Sequence, residues 1–376
     1  MPVTATLPPG LRWDTTRGRL KVTDPRLADA VLRDPHIVTG VDHGRAPAEL
    51  PTDGGLPSVA QFFQLWYTVG ADYARFNTEL RKAFTAGVAR GFDSDFNRLA
   101  RGHVLALPPR GDLASGYFLP FCTNSTFAML GVPAADWPNL TKVSRLIVHL
   151  FKQRLLGVAD HPPRESRAFA VIMDYLHTLT ERLLASDADT PFLTVARALR
   201  RDAPNNWPVA ALIGQLLMAG IEPMVAGATE ATLVLWRDPE LLAAARAGTA
   251  DFPDIAERAM RRCPPFEHIF RFVARQCDCL GVPLAPGTVV AIEVAPVNLS
   301  GGDDGCPVRP GAVWTFGKGT HYCLGANSAR LQVAAAIRQL ATARPAIRLA
   351  EPVRIDTSNN LRQVLALPYL IEDLEE

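Results

Sequence analysis

Phe316-Gly-Lys-Gly-Thr-His-Tyr-Cys-Leu-Gly-Ala-Asn-Ser-Ala-Arg330 is the stretch on which the reading of this chain turns. It is a glycine-rich turn that leads to a cysteine at the mouth of a helix expected over 324–343. A helix starting just after Cys323 points its unpaired N–H groups and the positive end of its dipole at the sulfur. Both effects stabilise a thiolate and moderate the charge it passes to a metal. Gly317, Gly319 and Gly325 let the backbone approach a flat cofactor closely. Phe316 can cover one side of the sulfur.

Upstream, the longest helical pattern runs from Trp207 to Trp236, with Asn206 as a plausible N-cap and Pro208 in the first turn. At about 1.5 Å per residue it would extend about 45 Å, enough to cross a whole domain. It carries little charge, so burial on most sides is expected. Pro223 interrupts it. A proline in mid-helix leaves the carbonyl four residues back, here that of Ala219, without its donor. The expectation is a kink lining a cavity.

Helical spacing also marks 72–90, 92–105, 112–130, 136–157 and 164–185, then 240–248 and 253–262. Strand-like pieces lie in Leu11–Val22 and in 266–295, with a short helix from Pro25 to Leu32. Stretches 41–60 and 298–312 read as loops. The chain is thus expected to be mainly α with small β-sheets, a single large domain over 1–376 with one long central helix. Apolar residues make up 48%, charged residues 20%, and the formal net charge is +1. That balance predicts neither a nucleic-acid partner nor an acidic membrane surface. The start, MPVTATLPPG, has no basic n-region or apolar h-region, and no run of about 18 apolar residues stands out, so a cytoplasmic chain with no membrane contact is expected. Six cysteines in 376 residues do not make a disulfide scaffold. Cys277 and Cys279 read as a pair of strand residues.

The Phe316–Arg330 stretch resembles the heme-ligand loop of the cytochromes P450, F-G-x-G-x-H-x-C-x-G-x-x-x-A-R, at every fixed position. The resemblance extends along nearly the whole chain. Thr123–Pro133, ending Ala-Met-Leu-Gly-Val-Pro, is similar to the helix before the family's active-site lid. Asp72–Thr85 is similar to its helix over one heme edge. Ala219-Gly220-Ile221-Glu222 resembles the A-G-x-[DE] bend of the central helix, and Arg309–Ala312 the loop before the ligand motif. The resemblance implies the cytochrome P450 fold, with the central helix over heme b and Cys323 as the axial thiolate. It implies that Arg271 and His321 meet the heme propionates, with Phe316, Gly317 and Gly325 close by. The family's His and Arg at positions 73 and 77 are here Tyr73 and Asn77, so anchoring on that edge is expected to pass to Tyr73, Arg75 or Arg81. Ala219, Glu222 and Pro223 fall at the catalytic bend. Leu216, Ile269, Phe270 and Leu361 fall at pocket positions, together with Phe62 and Phe63.

Two departures limit what the resemblance implies. Counting back from Pro264 puts Arg258 and Arg261 where the family has its E-x-x-R pair, and Glu257 is expected to take over by pairing with Arg261 along one helical face. Pro223 stands where the family has an alcohol. The expected function is oxidation of a small hydrophobic natural-product intermediate, free or bound to a carrier protein, with electrons from a ferredoxin and a ferredoxin reductase. The alternative is a heme-thiolate enzyme that uses peroxide or catalyses a redox-neutral rearrangement, cyclisation or dehydration.

Overall fold

The computed structural model describes residues 7–39, 62, 77–155, 162–202, 207–300, 313–358 and 360–372. Strands β1 (Leu11–Asp14) and β2 (Arg19–Val22) lead to α1 (Pro25–Arg33) and β3 (Ile37–Thr39). A helical block follows: α2 (Ala86–Gly91), α3 (Asp93–Leu105), α4 (Leu119–Met129), α5 (Trp137–Leu155), α6 (Pro163–Ala185) and α7 (Pro191–Asp202), with β4 (Arg110–Asp112) between α3 and α4. Next come α8 (Trp207–Ala219), α9 (Glu222–Arg237), α10 (Pro239–Arg246) and α11 (Phe252–Arg262). Strands β5 (His268–Val273) and β6 (Val289–Glu293) precede α12 (Val294–Leu299) and α13 (Ala326–Ala343); β7 (Ile347–Leu349), β8 (Arg354–Asp356), β9 (Gln363–Ala366) and β10 (Pro368–Ile371) follow.

Local chemistry sets several helix starts. Side-chain oxygens of Asp24, Thr85, Asp238 and Asp251 accept backbone N–H bonds at the heads of α1, α2, α10 and α11, each about 1 kcal/mol of support. The N-cap expected at Asn206 lies outside the described residues. Helix α7 and the short α12 were not anticipated: α7 has a polar, arginine-rich face, and α12 contains Pro296.

The central helix is corrected by the structure. It is two helices, α8 and α9, broken at Gly220-Ile221. Pro223 therefore sits in the first turn of α9 rather than in mid-helix, where a missing N–H costs nothing and the fixed φ helps. A Cβ on Gly220 would lie 2.8 Å from the Leu216 carbonyl oxygen and 3.0 Å from Thr126 Oγ1. Only glycine permits that approach of α8 to α4. The Thr126 hydroxyl, on α4, donates to the Gly220 carbonyl at 3.2 Å and to the Cys122 carbonyl at 2.8 Å.

Val209–Arg237 is long and apolar enough to cross a membrane, yet 72% of its window is buried inside the protein. Its hydropathy reflects the core it crosses. That core gathers the helices, with Phe96, Phe121, Leu176, Leu217, Leu235 and Ile337 among its buried residues. A second core lies against a five-stranded sheet of order β1-β2-β6-β5-β3, in which β2 and β6 run parallel and the other neighbours antiparallel. The sheet sets one register that matters for function: Thr39 on β3 pairs with Arg271 on β5.

Candidate functional site

The cysteine turn is held by its own backbone. Gly317 and Gly319 adopt φ of +69° and +71°, a region that excludes nearly every side chain. The Gly317 N–H donates to Trp314, the Tyr322 N–H to Gly319, and the Cys323 N–H to the Phe316 carbonyl at 2.9 Å. Arg81 and Asn327 tie the turn to its surroundings, through the Tyr322 carbonyl and the Phe84 carbonyl respectively. Helix α13 starts at Ala326, so Leu324 and Gly325 separate it from the cysteine. The Gly325 N–H nevertheless reaches the Cys323 sulfur.

The Cys323 side chain is exposed, yet burial raises its thiol above the ordinary range. The Gly325 N–H, Arg330 and Arg81 pull the other way. An accessible sulfur with a desolvation cost faces a recess in the protein, not bulk water. A Cβ built on Gly325 would meet no atom within 4 Å, so no side chain packs against the turn at that point.

Behind the turn, Arg330 lies over the Phe316 ring, 4.2 Å from its centroid. Glu257 grips the same guanidinium with bonds of 2.5 and 3.0 Å. This corrects the expected pairing: Glu257 points inward, but its partner is Arg330 and not Arg261. Arg261 instead donates to the Asn298 carbonyl at 3.1 and 2.9 Å. The Asn298 amide returns a bond to the Arg261 carbonyl, donates to Thr315 Oγ1, and accepts the Trp314 N–H at 2.6 Å. Asn298 thus connects α11 to the cysteine turn. Arg258 pairs with Asp254 at the surface, and Arg309 lies outside the described residues.

At the sheet edge, cations gather. His321 Nε2 lies 3.4 Å from Thr39 Oγ1, beside Arg271 in the register. His321 is pushed down to about 4 by burial and by the charges of Arg271 and Arg81. Burial alone pushes Arg271 down to about 10, and its guanidinium donates to the Phe270 carbonyl. Among the described residues no carboxylate offsets that Arg271 cost. The guanidiniums of Arg271 and Arg81 on this edge, with an exposed cysteine in the adjoining turn, fit a ligand bearing acid groups on one side. Tyr73 and Arg75, the other expected anchors, lie outside the described residues, as does Phe63. Phe62 is buried, edge-on to Phe169 in the helical core. Arg81 takes part directly.

The broken helix is the other expected site region. Between Val209 and Leu233 only Leu216, Ala219, Gly220, Glu222 and Pro223 are not buried. Leu216, Ala219 and Gly220 share one face of α8, and Glu222 and Pro223 follow at the head of α9, so the less buried positions cluster at the break. Glu222 lies near Cys122 of α4, whose thiol is pushed up by burial first and then by the Glu222 charge. Leu361 is 1% exposed and reaches the segment after Pro265 through its bridge with Phe266. Ile269 and Phe270 do not share a wall, because adjacent strand residues point to opposite faces. Phe270 stacks on His268 at 5.6 Å with Arg19 above it, whereas Ile269 shares the face of Arg271. The two residues, both expected in one pocket, therefore lie on opposite faces of the sheet. Sequence reasoning missed Thr126, Asn298 and Thr39; only their distant partners reveal them.

No family model matches the chain. Full-length comparison is more informative. The chain is 28% identical over 373 residues to cytochrome P450-SOY of Streptomyces griseus, covering 92% of this chain and 85% of the relative. It is 26% identical over 361 residues to the mycinamicin VIII C21 methyl hydroxylase of Micromonospora griseorubida, covering 92% and 88%. Among solved structures, P450BioI in complex with a hexadec-9Z-enoic acid-ligated acyl carrier protein superposes with a TM-score of 0.78 at 19% identity, over 94% of this chain and 92% of that one. The fold, mostly helical with small sheets, is theirs. Taken with the cysteine turn, these likenesses mean that the chain belongs to the cytochrome P450 family of oxidoreductases.

Proposed function

We propose that the chain binds heme b through the Cys323 thiolate and oxidises a small hydrophobic natural-product intermediate as a monooxygenase. One observation carries this reading: exposed Cys323 has a sulfur that accepts the Gly325 N–H, and the Arg81 charge acts on it while Arg81 and Arg271 both act on His321 nearby. Heme needs both features, an electron-rich axial ligand and cations for its propionates. When bound, it supplies dioxygen activation, and thiolate ligation favours O–O cleavage.

The chain's own residues do the rest. The Gly325 N–H moderates the charge on the sulfur, as outer hydrogen bonds do at metal centres. Arg271, Arg81 and His321 fix the edge of the ring system. Leu216, Ala219 and Leu361 offer an apolar wall that excludes water and orients a hydrophobic substrate. Glu222, in the first turn of α9, relays protons inward through water at the break. A ferredoxin, re-reduced by its reductase, delivers electrons from the Cys323 side. The likeness to P450BioI supports a carrier-bound substrate beside a free one.

The test is the carbon monoxide spectrum of the reduced, heme-loaded protein. A thiolate-type red-shifted Soret band is expected; its absence from the wild-type protein overturns the reading. A second reading has one observation in its favour: Pro223 supplies no hydroxyl at the break, so peroxide-driven or redox-neutral chemistry fits as well. Turnover under anaerobic conditions, with no electron donor, separates the two.

A further inference from the structure

Far along the chain from the cysteine turn, the Asp34 carboxylate and the thiols of Cys277 and Cys279 bring one oxygen and two sulfurs within 4.8 Å of one another, each group half-buried. Sequence spacing alone conceals this, because Asp34 comes from the C-terminal cap of α1. Two features explain the convergence. Cys277 is bridged antiparallel to Leu284, and Cys279 sits two residues on, in the turn that reverses the chain between them. The segment is also stitched to the Asp34 side: the Ala274 N–H donates to the His36 carbonyl at 2.7 Å, and the His36 N–H to Asp34 Oδ1 at 2.7 Å.

The arrangement is built before any ligand arrives. The turn that returns the chain is closed by the Gly281 N–H to Asp278 at 2.8 Å, with Gly281 at φ +72°. Cys277 also lines an open cleft of about 490 Å³ with Gln276, Asp278, Gly281, Val282 and Pro283, which gives an ion a path in from solvent. His36 Nδ1 lies 3.8 Å from Asp34 Oδ1. Both cysteines are free thiols.

We propose that Asp34, Cys277 and Cys279 form a binding site for a thiophilic divalent cation of the zinc class, separate from the heme site. Two sulfurs and a carboxylate oxygen are the ligand set such an ion prefers over magnesium or calcium, which take oxygen alone. Binding forms two metal–sulfur bonds and one metal–oxygen bond. The two thiol protons pass to solvent, with no change of oxidation state. The ion would clasp the C-terminal end of α1 to the loop between β5 and β6, and so brace the strand that carries Arg271.

The test is calorimetric titration of Zn²⁺ into the reduced, heme-loaded protein. One equivalent should bind with release of about two protons. Binding should vanish in the Cys277→Ser/Cys279→Ser double variant. It should weaken at least roughly tenfold in Asp34→Asn, no less than the loss of an outer partner costs at other metal centres. Zinc should also protect both thiols from alkylation. Equal titration curves for wild type and the double variant overturn the proposal, as does unchanged alkylation in the presence of zinc. If the double variant fails to fold, the Asp34→Asn titration and the wild-type alkylation decide the matter.

Discussion

The cysteine turn and the break in the central helix are held in opposite ways. The turn is fixed over a few residues by backbone bonds, two left-handed glycines and the Glu257–Arg330–Phe316 stack. The break is held by one glycine and one threonine hydroxyl from another helix. The first region keeps to the family pattern at every fixed position; the second departs from it at Pro223. The contrast teaches that the ligand side tolerates little change, whereas the substrate side can be altered locally, because what supports it lies outside the altered residues.

The largest effect should come from the turn. Cys323→Ala is expected to abolish the thiolate-type carbon monoxide spectrum and all reductase-dependent turnover; retained turnover would break the contrast at its root. Next, Arg271→Leu should loosen heme by about 1.5–3 kcal/mol, roughly ten- to a hundredfold in affinity, read as faster heme transfer to an apo-globin. Glu257→Gln should lower stability by about 2 kcal/mol in urea. That is less than for a fully buried pair, because its side chain is 16% exposed and that of Arg330 29%. Glu257→Gln combined with Arg261→Gln should show no coupling, as the two residues have different partners.

At the break, Thr126→Val should cost about 1 kcal/mol for the lost bond to Gly220 and change the product formed per electron consumed. Pro223→Thr should leave stability within about 0.5 kcal/mol, since first-turn positions accept either residue. Its readout is coupling: more product per electron would show that the missing hydroxyl limits dioxygen use. An unchanged ratio would show that the break works by another route.

Much of this was legible in the sequence because it is local. The cysteine turn lies within fifteen consecutive residues, and Arg271 could be counted from Pro264-Pro265. Helix positions followed from apolar spacing. Other features were hidden for physical reasons. The resemblance marked the bend at Ala219–Glu222, but that α4 packs close against Gly220 there was not visible, and Pro223 looked like a mid-helix interruption when it opens a second helix. The role of Asn298 depends on groups in three segments. Strand alternation alone separates Ile269 from Phe270, so the sequence already shows that the two cannot share a wall.

Asn298 has a wider implication. An amide that donates twice and accepts once, with its own carbonyl taking Arg261, fastens the helix before the double proline to the ligand turn. A search that demands a glutamate three residues before Arg261 would pass over this fastening. An inventory of such enzymes is better sorted by whether the helix before the double proline is fastened to the ligand turn than by the letters that fasten it.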